Sequence, residues 1–141
     1  MSGYLLDTNV LSELIRKRPS PGVLERLRSI SPSDLATSSI CLTELRYGAA
    51  RHPQGDALWV RIADEVLSHV RVLPLGSEEA ERAGELLAAL EKRGEVIGIE
   101  DVLIGATALV NNLAVATRNV RHFNRLDGLE VESWWESPSP E

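Results

Sequence analysis

The chain has 141 residues, 43% hydrophobic and 26% charged, which suits one globular domain with a real core and leaves no room to expect a second. A formal net charge of −6 excludes nucleic-acid binding driven by bulk positive charge, although a local site stays open. The single cysteine, Cys41, has no internal disulfide partner, and no N-terminal apolar run reaches signal-peptide or membrane-span length, so the expected compartment is the cytoplasm, with no membrane association.

Short apolar runs alternate with helical patterns, the mark of a parallel sheet flanked by helices, and predict one α/β domain over residues 1–136. Tyr4 to Leu6 predicts a buried first strand, followed by helices over Val10 to Lys17 and Pro21 to Ser29. Pro32 marks a turn before a second buried strand at Leu35 to Ser38. Helices over Ile40 to Ala50 and Asp56 to Ser68 follow, separated by Pro53-Gln54-Gly55, and Val70 to Leu75 reads as a third, less buried strand. The next helix, Glu78 to Arg93, carries Ala80, Ala83, Leu87 and Leu90 as a one-sided stripe expected to cover the sheet's outer face. After Gly94, a helix over Asp101 to Asn112 leads into a buried strand at Ala114 to Thr117, and Leu129 to Glu132 supplies the fifth strand. Ser137-Pro138-Ser139-Pro140-Glu141 reads as a disordered tail.

Three acids stand where core residues are expected. Asp7 ends the first strand and leads straight into an amphipathic helix, which Thr8 or Asn9 can cap without it. Glu44 has Cys41 and Gly48 at i−3 and i+4, small residues suited to a packed face; the plain alternative is a rim glutamate paired with Arg46 or Arg16. Asp101 opens a helix that is apolar nearly all round, with Ile104, Gly105 and Ala108 as its i+3, i+4 and i+7 neighbours, and it either complements the helix dipole or faces inward. If the first strand is central and a right-handed crossover sets the fourth beside it, all three acids meet at the sheet's carboxyl edge, where open parallel sheets bind ligands. Two unit charges about 4 Å apart repel by roughly 4 kcal/mol at an effective dielectric of about 20, so such a cluster calls for a cation. Oxygen ligands without clustered His or Cys favour Mg²⁺ or Mn²⁺ over zinc, and Mg²⁺ commonly takes substrate phosphate as well.

The segments LLDTNVLSEL, TELRYGAA, IEDVLIGATAL and AVATRNVRHF, in this order and spacing, resemble a PIN domain, and closely the VapC-type toxin ribonucleases of bacterial toxin-antitoxin pairs, over nearly the whole chain. The resemblance implies a five-stranded parallel sheet flanked by helices, with a metal site at its carboxyl edge. It further implies endonucleolytic cleavage of RNA with Mg²⁺, for which Mn²⁺ can substitute, and inhibition by a cognate antitoxin that blocks the active site. Asp7, Glu44 and Asp101 match the family's acidic positions and would hold the ion. Many relatives carry a fourth acid at the place of Asn119 or of His122. Here Asn119 can ligate through its carbonyl or position water, while His122 can bond a phosphate or cap a turn, and a single tightly held ion is the expectation. Thr8 is expected to steady the Asp7 loop.

For the RNA substrate, Arg118, Arg121 and Arg125 make one basic stripe if the segment after Thr117 is helical, with Arg46 adding to it; the plain alternative is a solvated face. Trp59, Trp134 and Trp135 are large apolar candidates for an antitoxin surface or the interface of a homodimer, with core packing the reading for at least one. Competing classes fit less well. A receiver-type regulatory domain needs an Asp after its third strand and a Lys after its fifth, which VLPLGSEE and LEVESWWE lack, and a haloacid-dehalogenase-like phosphatase needs an Asp where Asn9 stands. The rival is a non-catalytic PIN-like module that binds RNA or protein without cutting, because the fourth acid is missing.

Overall fold

Tyr4, Leu5 and Leu6 are all buried, and a strand buried on both faces belongs inside a parallel sheet. In the computed structural model, which describes residues 3–135, they form β1 (Tyr4–Leu6) at the centre of a five-stranded sheet. β2 (Leu35–Ser38) and β4 (Ala114–Ala116) flank it, with β3 (Arg71–Leu73) and β5 (Val131–Glu132) at the edges, in the order β3-β2-β1-β4-β5. Every pairing is parallel. As expected, β2 and β4 share the burial of β1, while the edge strands meet solvent. The tail at 137–141 lies outside the described residues.

The helices are α1 (Thr8–Glu13), α2 (Pro21–Arg28), α3 (Ser39–Arg51), α4 (Gly55–Glu65), α5 (Ser77–Lys92), α6 (Ile99–Val110) and the short α7 (Val120–Phe123). Several bounds depart from the sequence pattern for local reasons. α1 starts before Val10 because Asp7 itself is the N-cap, and it ends well before Lys17 because the Glu13 carboxylate accepts the Ser20 N–H at 2.7 Å and folds the chain back. The helix expected as far as Ser68 stops at Glu65, with Val66 as its C-cap still donating to Ile62 O, and a 3-10 turn follows at Leu67–His69. β3 ends before Pro74, which has no N–H to give a ladder, and Gly128, at φ 82°, turns the chain before the shortened β5. α6 closes in a Schellman motif: Asn112 sits at φ 57°, its N–H donates to Leu109 O at 3.2 Å, and the Leu113 N–H donates to Ala108 O at 2.9 Å.

α5 does not cover the sheet. Its buried positions are Ala83, Leu86 and Leu90, Ala80 is exposed, and its principal neighbour is α6. The place beside β4 belongs to α6, because a helix apolar nearly all round is satisfied only with partners on several sides. Trp134 is a core residue, edge-to-face on Tyr4 with 5.2 Å between centroids. Glu132 accepts from the Tyr4 hydroxyl at 2.9 Å, from Trp134 Nε1 at 3.2 Å and from Arg26 at 3.2 Å, which ties β5 to β1 and α2.

The entry to β1 is set by backbone alone. Gly3 has φ 136°, and a Cβ there would lie 2.4 Å from the Asp34 carbonyl oxygen. Gly3→Ala is expected to lower the urea midpoint by the equivalent of about 2 kcal/mol or more at an unchanged m-value. An unaltered midpoint would contradict this account of how β1 is anchored.

Candidate active site and metal centre

The parallel register builds the site. Leu6 pairs with Ala116, so Asp7 and Thr117 leave their strands side by side at the carboxyl edge, where the Asp7 N–H donates to Ala116 O at 3.0 Å. Thr117 Oγ1 donates to Asp7 Oδ2 at 2.7 Å, the Thr8 N–H donates to Oδ1 at 2.8 Å, and Asn9 Nδ2 reaches Oδ2 at 3.2 Å. On the other side Leu5 pairs with Ala36, which carries Ser38 and the first turn of α3 toward Asp7. Ser38 Oγ caps α3 by accepting the Cys41 N–H at 3.0 Å, and Cys41 Sγ lies 3.8 Å from Asp7 Oδ1. One turn further, Glu44 accepts a hydrogen bond from the Thr8 hydroxyl. Ligand atoms of Asp7, Cys41 and Glu44 all fall within 4.8 Å of one another. Asp101, in the first turn of α6, lines the same open cavity of about 560 Å³.

Asp7 is only 5% exposed. Burial pushes its carboxyl above the ordinary range and the charges of Asp101 and Glu44 act in the same direction, while the Thr117 hydroxyl and the Thr8 amide oppose them without cancelling the effect. Burial likewise pushes the Cys41 thiol up, so it stays a neutral S–H that accepts from Ser38 Oγ at 3.3 Å. The donors left are carboxylate oxygens, a set that fits a hard divalent cation. Asp101 Oδ2 lies 3.1 Å from His122 Nδ1 and 3.4 Å from Asn119 Nδ2, and those two nitrogens are 2.7 Å apart. With a lone pair on Nδ1 the ring accepts from Asn119, whose amide also reaches Asp101; with a proton on Nδ1 the ring donates to Asp101 instead.

Glu44 pairs with neither Arg46 nor Arg16 among the described residues, and Gly48, expected on a packed face, is exposed with open space around it. Arg46 lies 5.0 Å over the Trp59 ring and borders a different cavity with His52 and Asp56. The basic stripe does not form as one unit. Arg118 precedes α7 and lines the acidic cavity, Arg121 is exposed on α7, and Arg125 turns away to donate to Val96 O at 3.4 Å. Residues not singled out from sequence complete the surroundings. Thr117 holds Asp7, and its role follows only from the strand register. Glu13, 4% exposed, borders the cavity, and its place three residues after Val10 on the buried face of α1 was a readable signal. Burial alone would raise the Glu13 carboxyl, but hydrogen bonds from the Ser20 amide and Arg16, with the nearby Trp135 indole, bring it below its ordinary value.

The PIN domain family profile matches residues 4–129. The chain belongs to the PIN domain family. Ribonuclease VapC2 of Haemophilus influenzae is 32% identical over 136 residues, spanning 95% of this chain and 99% of the relative. Among solved structures, FitAcB from Neisseria gonorrhoeae matches with a TM-score of 0.88 at 32% identity, over 95% of this chain and 99% of that one. VapBC-5 from Mycobacterium tuberculosis, a member of the VapBC family of toxin-antitoxin systems, matches with a TM-score of 0.69 at 25% identity, over 94% and 98%. Among the described residues, this PIN domain has no helix long and apolar enough to cross a membrane.

Because folding raises the Asp7 pKa, the folded PIN domain holds that proton more tightly than the unfolded chain does. The associated stability is present in acid and lost as pH rises through the displaced pKa. In metal-free protein, the Tm of Asp7→Asn minus that of wild type is expected to grow as pH rises from about 4 to about 8. A difference that stays flat across this range would contradict the raised pKa.

Proposed function

We propose that this PIN domain is the toxin of a toxin-antitoxin pair, an endoribonuclease that hydrolyses phosphodiester bonds of cellular RNA with Mg²⁺, or Mn²⁺ in its place, and is silenced in the cytoplasm by a cognate antitoxin seated over the site. The observation that carries this reading is the approach of Asp7, Glu44 and Asp101, from three separate elements, to one cavity at the carboxyl edge of the sheet. Family membership and the ribonuclease relative supply the reaction class.

Asp7 and Asp101, with Glu44 directly or through water, would hold the ion. Bound there, a divalent ion supplies charge neutralisation at the scissile phosphate and a water of lowered pKa for in-line attack. The chain's own groups set the geometry. Thr117, Thr8 and Asn9 fix the Asp7 carboxylate, and the Thr8 hydroxyl ties Glu44 to the same loop. Asn119 and His122 steady Asp101 where many relatives carry a fourth acid, which supports one tightly held ion. Arg118 offers its guanidinium to phosphate beside the acids, and Arg121 and Arg46 contact RNA further out. A non-catalytic binding module is favoured only by that Asn119–His122 pair.

Asp7→Asn and Asp101→Asn are each expected to slow RNA cleavage in Mg²⁺ by more than about a hundredfold while leaving the far-UV circular dichroism unchanged. Wild-type cleavage by either variant would overturn the site. Induction of the chain alone is expected to arrest growth, and co-expression of a small protein encoded beside it to relieve the arrest. Harmless expression together with no cleavage of any RNA would overturn the toxin reading.

A further inference from the structure

The acidic cavity has a second wall that the carboxylates do not use. The Arg118 N–H donates to Asn9 Oδ1 at 3.0 Å, which fixes the backbone beside Asp7, and the Arg118 guanidinium carbon lies 5.0 Å from the centroid of the Trp135 ring. Both residues line the cavity. Of the two arginines there, Arg16 is paired with Glu13 at 3.2 Å, whereas Arg118 has no carboxylate partner among the described residues and is exposed. Trp135 is half-buried; its buried indole N–H makes no full hydrogen bond, and its weaker approach to the Glu13 carboxylate, together with packing and the arginine, holds the ring in place. The result is a flat, charged stack facing a cleft rimmed with acids.

A polyanion entering that cleft meets like charge, and a contact that does not depend on net charge relieves the difficulty. Unpaired bases stack on aromatic rings and on arginine planes, and such stacks tolerate any base because every base has a π-face. We propose that Arg118 and Trp135 form a stacking subsite for the base of the nucleotide adjoining the scissile phosphate. This rests on the ribonuclease reading above. RNA is favoured over a partner protein because the free cation, the planar face and the carboxylates line one cavity, in the arrangement a phosphate flanked by its own base requires.

The test uses full-length protein carrying Asp101→Asn to prevent cutting, and a short labelled RNA that spans a cut mapped with the wild-type chain. Anisotropy is read for this RNA and for the same RNA with an abasic residue next to the cut. Trp135→Ala is expected to weaken binding of the intact RNA about tenfold or more, Trp135→Phe to restore most of it, and the abasic RNA to bind weakly and be indifferent to both. Arg118→Gln, a change at an exposed side chain that leaves the core alone, is expected to weaken the intact RNA more than the abasic one. Unchanged affinity in Trp135→Ala and Arg118→Gln overturns the subsite, as does an equal loss for intact and abasic RNA. Weakened antitoxin binding with RNA binding intact overturns it too, and assigns the pair to the protein partner. If wild type cleaves while these variants bind normally, only this inference falls; if no form binds or cleaves RNA, the ribonuclease reading falls with it.

Discussion

The hydrogen bond from Thr117 to Asp7 joins the carboxyl ends of the two innermost neighbouring strands, and the site is organised around the acid it holds. A carboxylate with 5% exposure is costly in a core, and here three further acids, Glu13, Glu44 and Asp101, line the same cavity, so the arrangement works against stability. Thr117, Thr8 and Asn9 reduce that cost without removing it, as the upward displacement of the Asp7 pKa shows. A fold that retains such a charge at the end of its central strand is built to receive a cation.

The surrounding sheet makes the position rigid. β1 is enclosed by β2 and β4, its ladder to β4 continues through the Asp7 N–H, and Gly3 fixes where the strand begins. Glu44 and Asp101 come from helices that start at or near that edge, α3 capped by Ser38 and α6 entering after Gly98. Three acids far apart in sequence therefore converge because parallel strands point the same way, and no local motif brings them together. Asn119 Nδ2 and His122 Nδ1 stand within hydrogen-bonding reach of Asp101 and add no further carboxylate beside it.

Much of this was legible in the sequence, because burial leaves strong traces. The all-apolar Tyr4–Leu6 and Ala114–Ala116 segments announced inner strands, and Asp101 beside Ile104, Gly105 and Ala108 announced an acid on a packed helix. What escaped depends on tertiary partners. The early end of α1 follows from the reach of Glu13 to Ser20, and no periodicity encodes that contact. The outward position of α5 follows from the all-round burial of α6, which takes the sheet surface first. Gly48 looked like a packing residue because small residues suit packed faces, yet it lies on the exposed face of α3 with open space around it. Thr117 is one hydroxyl among many until the β1–β4 register sets it beside Asp7.

The central claim is that this cluster, centred on Asp7, binds a divalent ion in the folded chain. Electron paramagnetic resonance of added Mn²⁺ tests it most directly, since free Mn²⁺ gives a strong signal that is lost on binding. The account predicts that wild-type protein takes up one tightly bound Mn²⁺ per chain, that Mg²⁺ displaces it, and that Asp7→Asn abolishes the uptake. No saturable uptake by wild type, or uptake unchanged in Asp7→Asn, would contradict it.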